Sequence, residues 1–383
     1  MEDVDAMGDY TRREAVDLLS RMISIYSPTG YESELANFIH SVLTSYGVNA
    51  KIDSIGNVVS TIGCGDPRIL LCGHMDTIPG YIPIRTRGTR IYGRGAVDAK
   101  GPLASMISSF IIASRYSFSG TIILACVVDE EGESKGISRI IDDGIYADYA
   151  IFGEPSGSSS ITIGYKGSMH VKLTAKSVGG HASAPWLYDN PLELIFEAYK
   201  SIKERIEGLS ISDDRFYRYS VSLTMVKGGV AANVIPSDSE AYLDVRLPPG
   251  ATPQSILEIV KQEALNTASK YRRSRLKVEV SDLTPPYEGE ADSTLVEAFR
   301  KAVKSELGVE PRLIKKSGTS DMNIYANRTG AISVAYGPGN PRLSHRNIEW
   351  IEVEDYIHSI RILLRALSYI MGIGVGDVGD ILT

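Results

Sequence analysis

The sequence predicts an α/β protein in which a mixed sheet flanked by helices is interrupted by an inserted α+β unit. Three observations predict it. As far as Phe152, short apolar strand-like runs alternate with amphipathic helical patterns. Between Met169 and Val280 the order becomes β-α-β-β-α-β, the pattern of a ferredoxin-like unit. Beyond Thr284-Pro285-Pro286 come a helix, a buried strand and a last helix, which read as a return to the first domain. The expected division is therefore 1–166 and 284–383 for the outer domain and 167–283 for the insertion.

Taken in order, Thr11 opens a helix and forms a capping box with Glu14. Ala15, Leu18, Leu19, Met22 and Ile23 make its apolar stripe. A second helix follows Gly30, with Leu35, Phe38, Ile39 and Val42 on its expected buried face. Strand-like runs cover Asn57–Thr61 and Ile69–Cys72, a helix Leu103–Phe110, and Thr121–Val128 has the unbroken apolar character of a strand covered on both faces. In the insertion, Met169–Lys176, Ser220–Val226, Glu240–Arg246 and Leu276–Val280 read as strands, and Pro191–Glu207 and Pro253–Ala268 as helices. Helices at Ser293–Leu307 and Tyr356–Met371 and a strand at Ala331–Tyr336 complete the outer domain.

Composition narrows the function. A net charge of −7 argues against a nucleic-acid partner. No apolar run is long enough to cross a bilayer, and the polar, acidic opening Met1–Tyr10 is unlike a secretory signal. Cys64, Cys72 and Cys126 show no CxxC pairing, so a thiolate metal site is not expected and a reducing cytoplasm is.

Five clusters carry polar donors. Gly73-His74-Met75-Asp76-Thr77 directly follows a buried strand, where open α/β sheets gather ligands. His74 there can bind a metal, with Asp76 accepting its other N–H, although alone it reads more often as a structural histidine. Gly93-Arg94-Gly95-Ala96-Val97-Asp98 resembles a dinucleotide loop only superficially, since Asp98 stands at the sixth position. Asp98 fits either a metal bridge or a helix cap. Asp129-Glu130-Glu131-Gly132 places adjacent carboxylates at a strand end, where a dication would offset their repulsion, or where a solvated acidic turn would suffice. Gly153-Glu154-Pro155 and Ser344-His345-Arg346-Asn347 follow two further strands. Together the five offer imidazole and carboxylate, a set suited to zinc, cobalt or manganese.

These motifs (GHMDT, GRGAVDAKG, DEEG, GEP and a late SHR, in that order) resemble the zinc-dependent exopeptidases and deacylases that include aminoacylase, carboxypeptidase G and succinyl-diaminopimelate desuccinylase. The resemblance spans nearly the whole chain. It implies two divalent ions per subunit, zinc with cobalt as the alternative, one held by His74 and Glu154, the other by Glu131 and His345, with Asp98 bridging. It implies Glu130 as general base, Asp76 as the residue orienting His74, and an insertion that dimerises and sends His181 into the partner subunit's site. Asn233, Arg246 and the loop Gly318-Thr319-Ser320 are implied as substrate-binding. Without the resemblance, His181 is a loop histidine, Asn233 a turn residue and Arg246 a surface charge. Tyr92–Leu103 and Lys316–Asn323 are most similar to the LysW-lysine/ornithine hydrolases, which release lysine or ornithine from a small acidic carrier, LysW, in lysine and arginine biosynthesis. Arginines at 85, 87, 90 and 94, a second group at 272, 273 and 275, and Lys315 and Lys316 either steer such a carrier or are solvated surface. The rival expectations are an acetylornithine- or succinyl-diaminopimelate-type deacylase, a dipeptidase, and a non-catalytic metal-binding protein, the last disfavoured by Glu130.

Overall fold

The computed structural model describes residues 10–374 and Leu382, so the opening acidic stretch before Tyr10 lies outside the described residues. The chain forms two compact units: Met1–Ile163 with Gly289–Ile314 and Ser320–Thr383, and Gly164–Glu288 with Lys315–Thr319.

The first unit is built on a mixed sheet. Its strands run in the order Ala50–Ile52, Val58–Cys64, Gly120–Val127, Arg68–His74, Tyr149–Phe152, Ile332–Ala335 and Ser160–Tyr165. The four from Gly120–Val127 to Ile332–Ala335 are parallel, Val58–Cys64 and Ser160–Tyr165 pair antiparallel on either side of them, and Ala50–Ile52 pairs antiparallel with Val58–Cys64. Every residue of Gly120–Val127 is buried, as befits a central strand with helices on both faces. Because the central strands are parallel, His74, Val127 and Phe152 end at the same edge, and the loops that follow them carry most of the candidate donors.

Thr11 caps the helix Arg12–Ser24 reciprocally with Glu14, as expected. The helix Ser33–Ser45 buries Leu35, Ala36, Ile39 and Leu43, while Phe38 and Val42 are only partly covered. The stripe is therefore rotated from the expected one, because Phe38 lies under the guanidinium of Arg21 at 4.5 Å. Lys100–Ala113 is buried along its whole length. Ile357, Ile360, Leu363, Leu364 and Leu367 of the helix Val353–Met371 join the same core. Among the described residues no helix is long and apolar enough to cross a membrane.

The second unit is a four-stranded antiparallel sheet in the order Ser220–Gly228, Asp238–Leu247, Gly167–Lys176, Arg275–Thr284. Helices Pro191–Glu207 and Pro253–Ala268 bury Ile195, Ala198, Ile202, Ile256 and Val260 with Met169, Val171, Leu173, Leu243 and Val245. The strand positions between these, such as His170, Lys172 and Asp244, fall on the opposite face of the pleat.

Candidate metal centre

His74 is the last residue of its strand and 2% exposed. Its Nδ1 lies 2.9 Å from the Asp76 carbonyl oxygen and 3.4 Å from Asp76 Oδ1. The neighbouring carbonyl is thus its nearer partner. The Asp76 carboxylate instead accepts the backbone N–H of Glu130 at 3.1 Å and of Glu131 at 3.0 Å, and the Thr29 hydroxyl at 2.9 Å.

His74 Nε2 stands 3.5 Å from Asp98 Oδ1, and His345 Nε2 stands 3.4 Å from Asp98 Oδ2. His345 Nε2 also lies 2.7 Å from Glu131 Oε1. One donor atom each from Asp98, Glu131 and His345 falls within 4.8 Å of the others. Glu154 follows the strand Tyr149–Phe152 in the next loop, and its charge acts on Glu130.

Local backbone conformations hold these positions. His345 has φ +62° and Asp129 φ +63°, a left-handed conformation uncommon outside glycine. Asp129 Oδ2 accepts the N–H groups of Glu133 and Lys135, which closes the turn bearing Glu130 and Glu131. A Cβ on Gly132 would lie 2.3 Å from Asp129 Oδ1, so any larger residue there would displace the carboxylate that closes the turn. Gly95, at φ +83°, packs against Thr77 and the Lys100 stem. Burial pulls the Lys100 ammonium down to about 7, and its Nζ donates to the Ile25 carbonyl.

The electrostatics suit a dication. Burial pushes the Glu130 carboxyl well above the carboxylate range, and the nearby carboxylates of Glu154, Asp321 and Glu131 push the same way against His74. Burial pulls the His74 imidazole down, but Glu130, Asp76 and Asp98 outweigh it and hold the group well up. The Glu131 carboxylate raises His345, against partial burial. The donors brought together, one atom each from Asp98, Glu131 and His345, are imidazole and carboxylate with no thiolate, a set whose chemistry fits a divalent ion such as zinc or cobalt.

His181, Asn233 and Arg246 belong to the second unit. His181 is exposed in the second unit, pairs with Val234 across a short ladder, and accepts the Ser183 N–H on Nδ1 at 3.1 Å. Asn233 joins the same turn, its carbonyl accepting the Ala182 N–H. Arg246 forks onto Asp244 with two 2.8 Å hydrogen bonds. Gly318 and Thr319 also belong to the second unit, whereas Ser320 belongs to the first, where its hydroxyl caps the helix Asp321–Thr329.

Of the expected surface arginines, Arg94 is a correction. It is 5% exposed and paired with Glu349, so it is no part of a solvated patch. Arg85, Arg87 and Arg90 are exposed. Sequence reasoning missed Glu349, and also Glu32, whose Oε1 accepts the N–H groups of Gly30 and Asp129, and Asp355, which binds the N–H groups of Ser158 and Gly339. Each is a carboxylate tying together loops distant in sequence, and no local motif marks it.

The model of the peptidase family M20/M25/M40 matches residues 70–369. A Sulfurisphaera tokodaii protein named LysW-lysine/LysW-ornithine hydrolase is 32% identical over 360 residues, covering 94% of this chain and 96% of its own. A Pyrococcus abyssi protein that carries this name with a provisional prefix is 37% identical, covering 94% of this chain and 95% of its own. Aminopeptidase PepT from Bacillus cereus has the same fold, with a TM-score of 0.80 at 19% identity over 95% of this chain and 100% of its own. A Bacillus subtilis protein described as a dinuclear metal binding peptidase of the M20 family superposes with a TM-score of 0.70 at 15% identity, over 94% of this chain and 99% of its own. On the family match and these relatives, the chain belongs to the peptidase family M20/M25/M40 and is a hydrolase of amide bonds.

Proposed function

We propose that this chain cleaves the amide bond joining lysine or ornithine to a LysW-type carrier protein, at a centre of two divalent ions. The observation that carries the metal reading is Asp98, whose two oxygens face different histidines, His74 at 3.5 Å and His345 at 3.4 Å. We assign His74 and Glu154 to one ion, Glu131 and His345 to the other, and Asp98 to both. Zinc suits these donors, and cobalt is the working substitute. The carrier and its amino acids are proposed from the names of relatives covering more than nine-tenths of the chain.

When bound, the ions supply Lewis acidity at the carbonyl and a nucleophilic water at neutral pH. Glu130 is the proton carrier, taking the proton at its carboxylate and handing it to the leaving nitrogen. Asp76 holds Glu130 by its backbone. We assign the reaction to the cytoplasm and to a homodimer in which His181 of one copy serves the other's site. Asn233, Arg246 and Gly318-Thr319-Ser320 are assigned to the substrate. The fork of Arg246 onto Asp244 uses its Nε and one Nη2 N–H, which leaves the Nη1 edge of the guanidinium for a substrate carboxylate.

The test compares kcat/KM of the zinc-loaded chain for carrier-linked lysine, N-acetylornithine and a dipeptide. The reading expects the carrier-linked substrate to be preferred. Preference for N-acetylornithine or the dipeptide would replace it with a deacylase or dipeptidase.

A further inference from the structure

Glu349 is 1% exposed, and its carboxylate is shared between backbone and side chain. Oε1 accepts the N–H groups of Val97 at 2.8 Å and Asp98 at 3.0 Å. Oε2 accepts Arg94 Nη1 at 3.0 Å. Arg94 is itself buried, and its remaining hydrogen bonds also go to backbone: Nη1 to the Arg346 carbonyl at 3.0 Å and Nε to the Gly80 carbonyl at 2.8 Å. The Glu349 carbonyl closes the circuit by accepting the Gly93 N–H at 3.2 Å.

This pair therefore joins the Gly93–Asp98 loop to the His345–Glu349 segment. Those two stretches carry two of the three donors that fall within 4.8 Å of one another. A buried ion pair is a poor source of stability, because desolvation consumes most of its attraction and apolar side chains of similar volume do as well. What it supplies is direction. Fixing the Asp98 N–H sets where its carboxylate points, and fixing the Arg346 carbonyl sets the loop that presents His345.

We propose that Arg94 and Glu349 are positioning residues for the metal centre, setting the spacing of Asp98 and His345 and with it the affinity for the ions. This rests on the reading of Asp98 and His345 as ligands. Residues that orient metal ligands from behind typically contribute about 10–100-fold in metal affinity or activity.

The experiment measures Zn²⁺ and Co²⁺ affinity of the full chain by competition with a chelator, together with the visible spectrum of the Co²⁺ form. Glu349→Gln is compared with wild type and with Glu306→Gln, which breaks a part-buried cluster of Glu306 with His358, Arg361 and Arg365, residues of two helices that carry no donor. The expected result is that Glu349→Gln, folded by circular dichroism, loses about 10–100-fold in affinity and shifts the Co²⁺ spectrum. Its kcat falls more than its KM rises. Glu306→Gln loses thermal stability with metal affinity unchanged. Wild-type affinity and spectrum in Glu349→Gln would overturn the proposal. If that variant does not fold, Arg94→Lys, which keeps the charge but not the fork, is read by the same criterion, and wild-type affinity there overturns it equally. A wild-type chain that binds neither ion removes the metal reading itself, and this proposal with it.

Discussion

Asp76 holds Glu130 by its backbone, accepting the amide N–H on Oδ1 at 3.1 Å, while its second oxygen takes the next amide along at 3.0 Å. The carboxylate is thus occupied by the turn that presents the acidic pair, and His74 is met chiefly by the Asp76 carbonyl. Replacing it with asparagine turns an –NH₂ toward one of the two amides, donor against donor. Asp76→Asn is expected to lower kcat by about 10–100-fold and to weaken metal binding, because the turn carrying both carboxylates shifts. Wild-type kcat in this variant, measured at saturating metal, would count against that role.

Glu130 and Glu131 are adjacent but differently used. Glu131 Oε1 meets His345, whereas Glu130 is half-buried and feels the charges of other carboxylates. Glu130→Gln is expected to keep its metal and lose about 10²–10⁴-fold in kcat, the usual cost of removing a general base. Glu131→Ala is expected to lose metal. Metal analysis and steady-state rates on the two proteins separate the roles.

Removing the ions should abolish turnover and lower thermal stability together. A ligand that binds only the folded state stabilises it by about 2.7 kcal/mol at a free concentration of 100 times Kd. Dialysis against chelator should lower the melting midpoint, and added Zn²⁺ or Co²⁺ should restore it along with activity. Full activity in a thoroughly demetallated sample would sink the metal reading.

If His181 serves the partner copy's site, inactive His181→Ala and Glu130→Ala proteins should regain activity on mixing. A hybrid dimer then contains one site with both residues. The check is turnover after subunit exchange has been shown by size and mass; no gain despite exchange argues for sites complete within one copy.

Stability at low pH should depend on Glu306. Burial raises this carboxyl, but His358, Arg361 and Arg365 outweigh it and hold the group below its ordinary value of 4.5. A depressed acid contributes its stability above the unfolded value and loses it as pH falls through the folded one. Glu306→Gln should therefore cost on the order of 1–3 kcal/mol near pH 7, in line with hydrogen bonds to charged groups. The gap to wild type should narrow below about pH 4.5. Denaturant titrations at pH 7 and pH 3.5 read the difference.

Much of this was legible where the signal was local. Gly120–Val127 shows as an unbroken apolar run, and Pro191–Glu207 and Pro253–Ala268 are bounded by their own prolines. No element was legible at Ser160–Tyr165, which is buried throughout and directly follows the serine-rich stretch 156–160. The small sheet of Arg85–Arg87, Arg90–Tyr92 and Trp350–Glu352 joins segments far apart in the chain, so no window of sequence contains it. Arg94 was misread for the same reason, since its neutralising partner Glu349 lies at the other end of the chain. The donors themselves stood out because each follows a strand or a glycine turn; of the carboxylates that brace these loops, Asp76 stood out with its motif, whereas Glu349 and Glu32 did not.

The distance in sequence between His74 and His345 has a consequence for synthesis. The first lies in the opening fifth of the chain and the second close to its end, yet both face Asp98. A polypeptide still on the ribosome lacks the His345 side of the centre until nearly all of it has been translated. The cluster of Asp98, Glu131 and His345 is a late-closing site, and a chain cut short before His345 keeps the acidic turn without the imidazole that completes it.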